Sequence, residues 1–260
     1  MVDLREKQNQ PMFSEGREIS RVLIEAVKRG ELQAYRSDSL TLTFTIKQVA
    51  ANMSFSEGGD ERSQAEIDAD ISSDDSDDWE QAARRQPRLD SRGRPMRDPN
   101  GRVMYATGNT GRAPKPKPSS YEYRYKDLYQ MELKEALVFD KKKACMVHDI
   151  QTVTLLVPST VATNASGFEK PIATFKYADL VRIFRRHPEV AVWFNAQNDA
   201  QNKNLADALE LGLFHSYITK ISNPRNERLS DTFGGEKQGI MAAQQSAADL
   251  VEYEYNLWSF

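Results

Sequence analysis

One cysteine, Cys145, stands among 260 residues, so no intramolecular disulfide framework braces this chain. A lone thiol suits a cytosolic protein and a large periplasmic one alike. Histidine is nearly as scarce, with His148, His187 and His215 alone. None stands in a recognised metal-ligand pattern, and one thiol cannot build a thiolate zinc site. His148 and Asp149 adjoin on a predicted strand, where neighbouring side chains point to opposite faces, which argues against a shared ligand or base–orienter role. Long apolar runs are missing too: no stretch approaches the roughly 18–20 residues needed to cross a bilayer. Met1-Val2-Asp3-Leu4-Arg5-Glu6-Lys7 lacks the apolar core of a secretory leader. Such a beginning suits a cytosolic protein or a mature form with an added initiator Met.

Chemical motifs are equally thin. The acidic run lacks the Asp-x-Asp-x-Asp-Gly spacing of a calcium loop. No Gly-rich phosphate cradle precedes a helix, and Gly234-Gly235 reads as a turn. A Gly-x-Ser-x-Gly elbow is absent. No catalytic, metal-binding or cofactor-binding residue is therefore assigned, and the residues by themselves read as a scaffold or interaction protein with no visible active site.

What the sequence does have is charge, set out in blocks. The formal net charge is only −3, while 28% of residues are charged and the mean hydropathy is −0.66. Residues 57–80 carry eleven acids against Arg62, a net of −10, and residues 81–117 carry ten bases against Asp90 and Asp98, a net of +8. So much charge with so few apolar side chains cannot offset the entropy of ordering a chain. Residues 56–120 are therefore expected to form a long charged, low-complexity insertion, largely extended or disordered. Asp98-Pro99-Asn100-Gly101 is turn chemistry and predicts a small hairpin over 94–105. The basic block at 84–117 can be a solvated linker, a dock for an acidic protein, or a nucleic-acid contact. Nucleic-acid binding normally interleaves aromatics with the bases, and Tyr105 is the one aromatic there, so no nucleic-acid partner is expected.

The remainder is divided into an N-terminal arm (1–16), a first folded part (17–55) and a main folded part (121–260). Ile19, Val22, Leu23, Ala26 and Val27 form one stripe of a helix over 17–29, with Gly30 as its C′ residue. Leu40–Ile46 alternates with period two and predicts a half-buried strand. Two strands, Met131–Phe139 and Ala144–Val157, flank a polar turn. In the second, Cys145 and Val147 hold one parity, Ile150 the other, and Val153, Leu155 and Val157 return to the first, which suggests a bulge or a two-faced strand. Tyr177, Leu180, Val181 and Phe184 mark a helix stopped at His187-Pro188. Val190–Phe194 is a short apolar run, Leu205–Gly212 a helical face, and Phe214–Ile221 another strand. Ile240, Ala243, Ala247, Leu250 and Val251 stripe a longer C-terminal helix. The fold class is α+β: a small mixed or antiparallel sheet with flanking helices, plus the charged insertion.

Tyrosine and phenylalanine are dense outside clear core positions: Tyr121, Tyr123, Tyr125, Tyr129, Phe175, Tyr177, Tyr253, Tyr255, Trp258 and Phe260. They either fill the core or line protein interfaces, where aromatics bury much area at little entropic cost.

Five stretches carry a family resemblance. The helix ending in Ala26–Tyr35 resembles the opening of the gliding-motility protein N family (GldN, or PorN in its secretion context). Lys134-Glu135-Ala136-Leu137-Val138-Phe139-Asp140-Lys141 is similar to its Lys-Glu-Asp-Trp-x-Phe-Asp-Lys, with Leu137 in the Trp position. Phe194-Asn195-Ala196-Gln197-Asn198-Asp199, Phe214–Asn223 and Tyr253–Trp258 resemble three further motifs, in the family's order.

That resemblance implies a non-enzymatic structural subunit of the type IX secretion and gliding machinery of Bacteroidota. It implies a periplasmic protein attached peripherally to the outer membrane, touching the membrane only through a gliding-motility protein K-like lipoprotein. The partners it implies are that lipoprotein, the periplasmic domain of a gliding-motility protein M-like motor subunit, and further copies of itself in a ring. No cofactor is implied. Tyr125, Tyr129, Phe139, Asp140, Phe194, Asn195, Tyr217, Tyr255 and Trp258 are nominated as protein-interface residues from the family motifs and the exposed-looking aromatics. The residues alone leave two alternatives open: a periplasmic ligand-binding or hydrolytic protein with an aromatic pocket, and nucleic-acid binding through the insertion.

Overall fold

The computed structural model describes residues 1–56, 120–143, 145–161, 164 and 167–257. The chain divides into two units, Met1–Met53 with Glu122–Phe260, and Ser54–Tyr121. The disorder expected over most of 56–120, and the hairpin expected at 94–105, lie outside the described residues.

In chain order the larger unit begins with β1 (Val2–Asp3) and α1 (Ile19–Lys28). Next come β2 (Ala34–Tyr35), β3 (Thr43–Phe44) and α2 (Ile46–Asn52). A separate two-stranded ladder joins β4 (Ser54–Ser56) to β5 (Ser120–Glu122). The long strands β6 (Gln130–Asp140) and β7 (Cys145–Val157) follow, then β8 (Lys170–Lys176) and α3 (Tyr177–Arg186). The chain continues through β9 (Val192–Trp193), β10 (Lys203–Asn204) and α4 (Leu205–Glu210). It ends on α5 (Leu229–Thr232) and the 21-residue α6 (Glu236–Asn256).

The main sheet has six strands in the order β1-β6-β7-β8-β2-β3, every pair antiparallel, so the α+β class holds. Its centre is covered on both faces: Ile172, Ala173, Thr174 and Phe175 are all buried along β8, as are Val153, Leu155, Leu156 and Val157 on β7. Each fully buried large side chain among them stabilises the fold by about 1.5–3 kcal/mol. Phe184 and Leu180 bring α3 onto β7 and β8.

Local chemistry explains most boundaries. The α1 stripe is buried, and the helix closes in a Schellman arrangement: Gly30 N–H donates to Val27 O at 2.9 Å and Glu31 N–H to Ala26 O at 3.0 Å. Gly30 has φ +72°, a conformation that disfavours a Cβ. Lys134 pairs with Thr152 but Glu135 with Ile150, so Gln151 is the extra residue of a bulge, and of the two readings of the parity break at Ile150 the bulge is the one found. His187 ends α3 as expected.

Other readings need correction. Leu40–Ile46 is a strand only at Thr43–Phe44, because Thr45 caps α2 with its side chain while Gln48 reaches back to the Thr45 N–H, a reciprocal capping box. Phe214–Ile221 makes no strand; its backbone bonds to Met1 instead of to a ladder. Residues 1–16, read as an arm, carry β1 at the sheet edge, with Val2, Leu4 and Met12 buried. β8 was not anticipated: being buried on both faces, it shows no polar alternation. Phe175, counted among aromatics outside clear core positions, is core. The α6 stripe splits as well: Ala243 faces inward and Leu250 is half-buried, whereas Ile240, Ala247 and Val251 face solvent.

Candidate protein-interaction site

The nominated residues divide by what their local chemistry already uses. Tyr129 is buried: its hydroxyl bonds to Thr160 Oγ1, and the Arg5 guanidinium lies 3.3 Å from its ring centroid. Tyr125 is half-buried, and its carbonyl accepts Ser20 Oγ–H at 2.8 Å. Both tyrosines hold the turn before β6 and present little free surface.

Phe139 and Asp140 lie at the tip of the β6–β7 hairpin. Asp140 Oδ1 accepts Lys142 N–H at 2.9 Å, so its carboxylate shapes the turn, while Phe139 stays half-buried opposite Met146. Around them Leu137, Val138 and Val147 are exposed apolar side chains. Beyond β1, which covers only Gln130 and Met131, the outer edge of β6 pairs with no described strand. An open edge carrying apolar side chains is a template for another chain.

Phe194 and Tyr217 are tied to the N-terminal segment. Phe194 N–H donates to Pro11 O at 2.8 Å, and Tyr217 N–H to Met1 O at 3.0 Å. Both rings remain exposed. The part of the Tyr217 side chain that is covered still loses solvent, and this partial burial raises its hydroxyl above the usual range, with Glu169 and Asp3 adding to the effect. Asn195 is consumed locally, its Oδ1 accepting Gln197 N–H at 3.0 Å. Nearby, Arg228 bonds to Glu169 and lies 3.8 Å from Glu132, joining the loop before α5 to the starts of β6 and β8. Burial opposes the Arg228 charge, but these two carboxylates outweigh it and raise its pKa.

Tyr255 stands on the outward side of α6 and is 75% exposed, while Trp258 lies outside the described residues. Sequence periodicity missed Met241, 64% exposed, and turned Ile240 and Val251 inward when they are 59% and 68% exposed. The available signal was the pair of small residues Gly239 and Ala243, which marks the side where α6 meets α5.

A shallow cavity of about 220 Å³ is lined by Arg5, Arg124, Lys126, Asp127, Tyr129, Thr160 and Val161. Two of its three bases are ion-paired, Arg124 with Asp127 at 3.3 Å and Lys126 with Glu15 at 2.6 Å, and the third, Arg5, lies over the Tyr129 ring. A single carboxylate held by arginine cannot perform paired acid–base chemistry. Among the described residues, no three His, Cys, Asp or Glu side chains could hold a metal ion. No described helix is long and apolar enough to cross a membrane.

The model of the family described as gliding motility associated protein GldN matches residues 1–259. The chain belongs to this family. GldN proteins are components of the gliding motility and type IX secretion machinery, and they are structural components. The match takes in all five resembling stretches, including the hairpin tip and α6. No curated protein matches the chain.

Proposed function

We propose that the chain is a non-enzymatic structural subunit of the type IX secretion and gliding machinery. It works in the periplasm, peripherally attached to the outer membrane. There it assembles in a ring with a gliding-motility protein K-like lipoprotein and meets the periplasmic domain of a gliding-motility protein M-like motor subunit. The observation that carries this reading is the concentration of exposed apolar side chains on the hairpin tip and on α6, in a GldN family member. Patches of this kind on regular elements are what a subunit presents to neighbours. A ring requires head-to-tail contacts, which close only at the right rotation.

Co-expression with the lipoprotein, followed by electron microscopy, tests the proposal. Rings containing both chains are expected. Two species that purify apart, with no large assembly, would overturn it.

A further inference from the structure

The hairpin of β6 and β7 outruns the rest of the sheet. β1 covers β6 only at Gln130 and Met131, and β8 stops where Lys176 pairs with Thr152. From Glu135 opposite Ile150 to Asp140 opposite Cys145, the two strands pair with each other and with no other described strand. These rungs form a ribbon about 17 Å long. Residues directly opposite share a face, and successive rungs alternate between faces. Val138 and Val147 therefore stand on one face, and Leu137, Phe139 and Met146 on the other. Leu137, Val138 and Val147 are exposed, while Phe139 and Met146 are half-buried. Both faces of the ribbon are thus apolar.

Its end is cationic. Lys141, Lys142 and Lys143 are all exposed, and no described carboxylate pairs with them. The nearby acids are engaged within the subunit. Asp140 Oδ1 accepts Lys142 N–H at 2.9 Å and Lys143 N–H at 3.4 Å, and Glu254 Oε1 accepts Met146 N–H at 3.2 Å. Glu135 bonds to His148 Nδ1 at 3.0 Å, and Asp149 sits at the base of the ribbon beside Ile150.

The order of these groups selects the occupant. A bilayer offers its anionic layer first and its apolar layer second, so an entering tip needs apolar side chains at its end. Here the cations lead and the apolar side chains follow, which would carry three ammonium groups deepest into hydrocarbon. A flat protein surface would cover one face of the ribbon and leave the other in water. A cleft covers both. Its walls must be apolar, and its floor must carry carboxylates to meet the lysines. Another copy of this chain does not offer such a floor among its described residues, where the cavity is lined by Arg5, Arg124 and Lys126 beside one acid, Asp127. We propose that the β6–β7 ribbon is a plug seated in an apolar-walled, acid-floored cleft of the lipoprotein with which this chain co-assembles. The plug rests on the ring reading above and names the surface that makes the contact.

The test uses the full chain co-expressed with that lipoprotein. The combined change Lys141→Glu, Lys142→Glu and Lys143→Glu, and separately Val138→Asp, should each weaken the complex about tenfold or more. All four positions are exposed, so the melting temperature of the chain alone is expected to stay at the parent's. Photo-reactive residues at Val138 and at Leu137, on opposite faces, are both expected to cross-link to the lipoprotein. One at Phe168, exposed just before the strand that pairs with the far end of β7, is not. Three results would overturn the plug and leave the ring reading standing: a complex that survives both changes, cross-links from one face only, or binding of the purified chain to anionic phospholipid vesicles through the same lysines. A parent chain that forms no complex would overturn both.

Discussion

Gly239 of α6 lies so close to Ser230 of α5 that a Cβ built on the glycine would stand 2.8 Å from the Ser230 Cα and 2.9 Å from its N. The obstacle is backbone, which no rotamer change can move aside. Glycine here sets the distance of closest approach between the two helices.

Gly239→Ala therefore reverses the usual helix preference. In an open helix the change would gain about 1 kcal/mol. Here overpacking against Ser230 is expected to cost about 1–3 kcal/mol net. Urea denaturation measures it, and an alanine variant as stable as the parent would show that the helices separate freely.

Asn9 is the second test. Fully buried, it donates Nδ2–H to Asp3 O at 2.7 Å and to His215 O at 2.9 Å, and its Oδ1 accepts His215 N–H at 2.7 Å. One side chain thus stitches the N-terminal segment to the loop after α4. Asn9→Ala removes all three bonds to these part-buried backbone groups, each bond contributing about 0.5–1.5 kcal/mol. The expected result is a lower melting temperature, with faster amide exchange concentrated at residues 1–12. Loss of stability without that localisation would contradict the stitch.

A third expectation concerns pH. The Glu31 carboxyl is held below its usual 4.5, first by its hydrogen bond with His187, against a smaller opposing effect of burial, and with help from Arg29. His187 Nε2 lies 2.9 Å from Glu31 Oε2, joining the turn after α1 to the end of α3. Because the folded value is depressed, the stabilisation is present above the unfolded value and lost as pH falls through the folded one. Glu31→Gln should flatten the acid limb of the melting-temperature profile between about pH 5 and 3. A variant whose acid limb parallels the parent's would rule out this pair as a contributor.

Two kinds of information separate cleanly in this chain. Features set by neighbours in sequence were legible in it: the α1 stripe and its Gly30 terminus, the stop at His187-Pro188, and the bulge at Gln151 announced by a break in alternation. Each depends on a few adjacent residues whose conformational preferences agree. Even the Thr45–Gln48 capping box was there to be read, although the alternation of Leu40–Ile46 masked it.

Tertiary structure decided the rest, because burial depends on partners far along the chain. Nothing local says that β8 is covered on both faces, that Tyr129 lies under Arg5, or that residues 1–4 complete the edge of a strand 130 positions away. The five family motifs were legible in the sequence, and their order pointed to the GldN family. Which apolar side chains of α6 face outward was another matter. It was decided by the contacts along one side of the helix, Gly239 against Ser230, Ala243 buried beyond it and Glu254 bonded to Met146 N–H, since several packed points together fix its rotation.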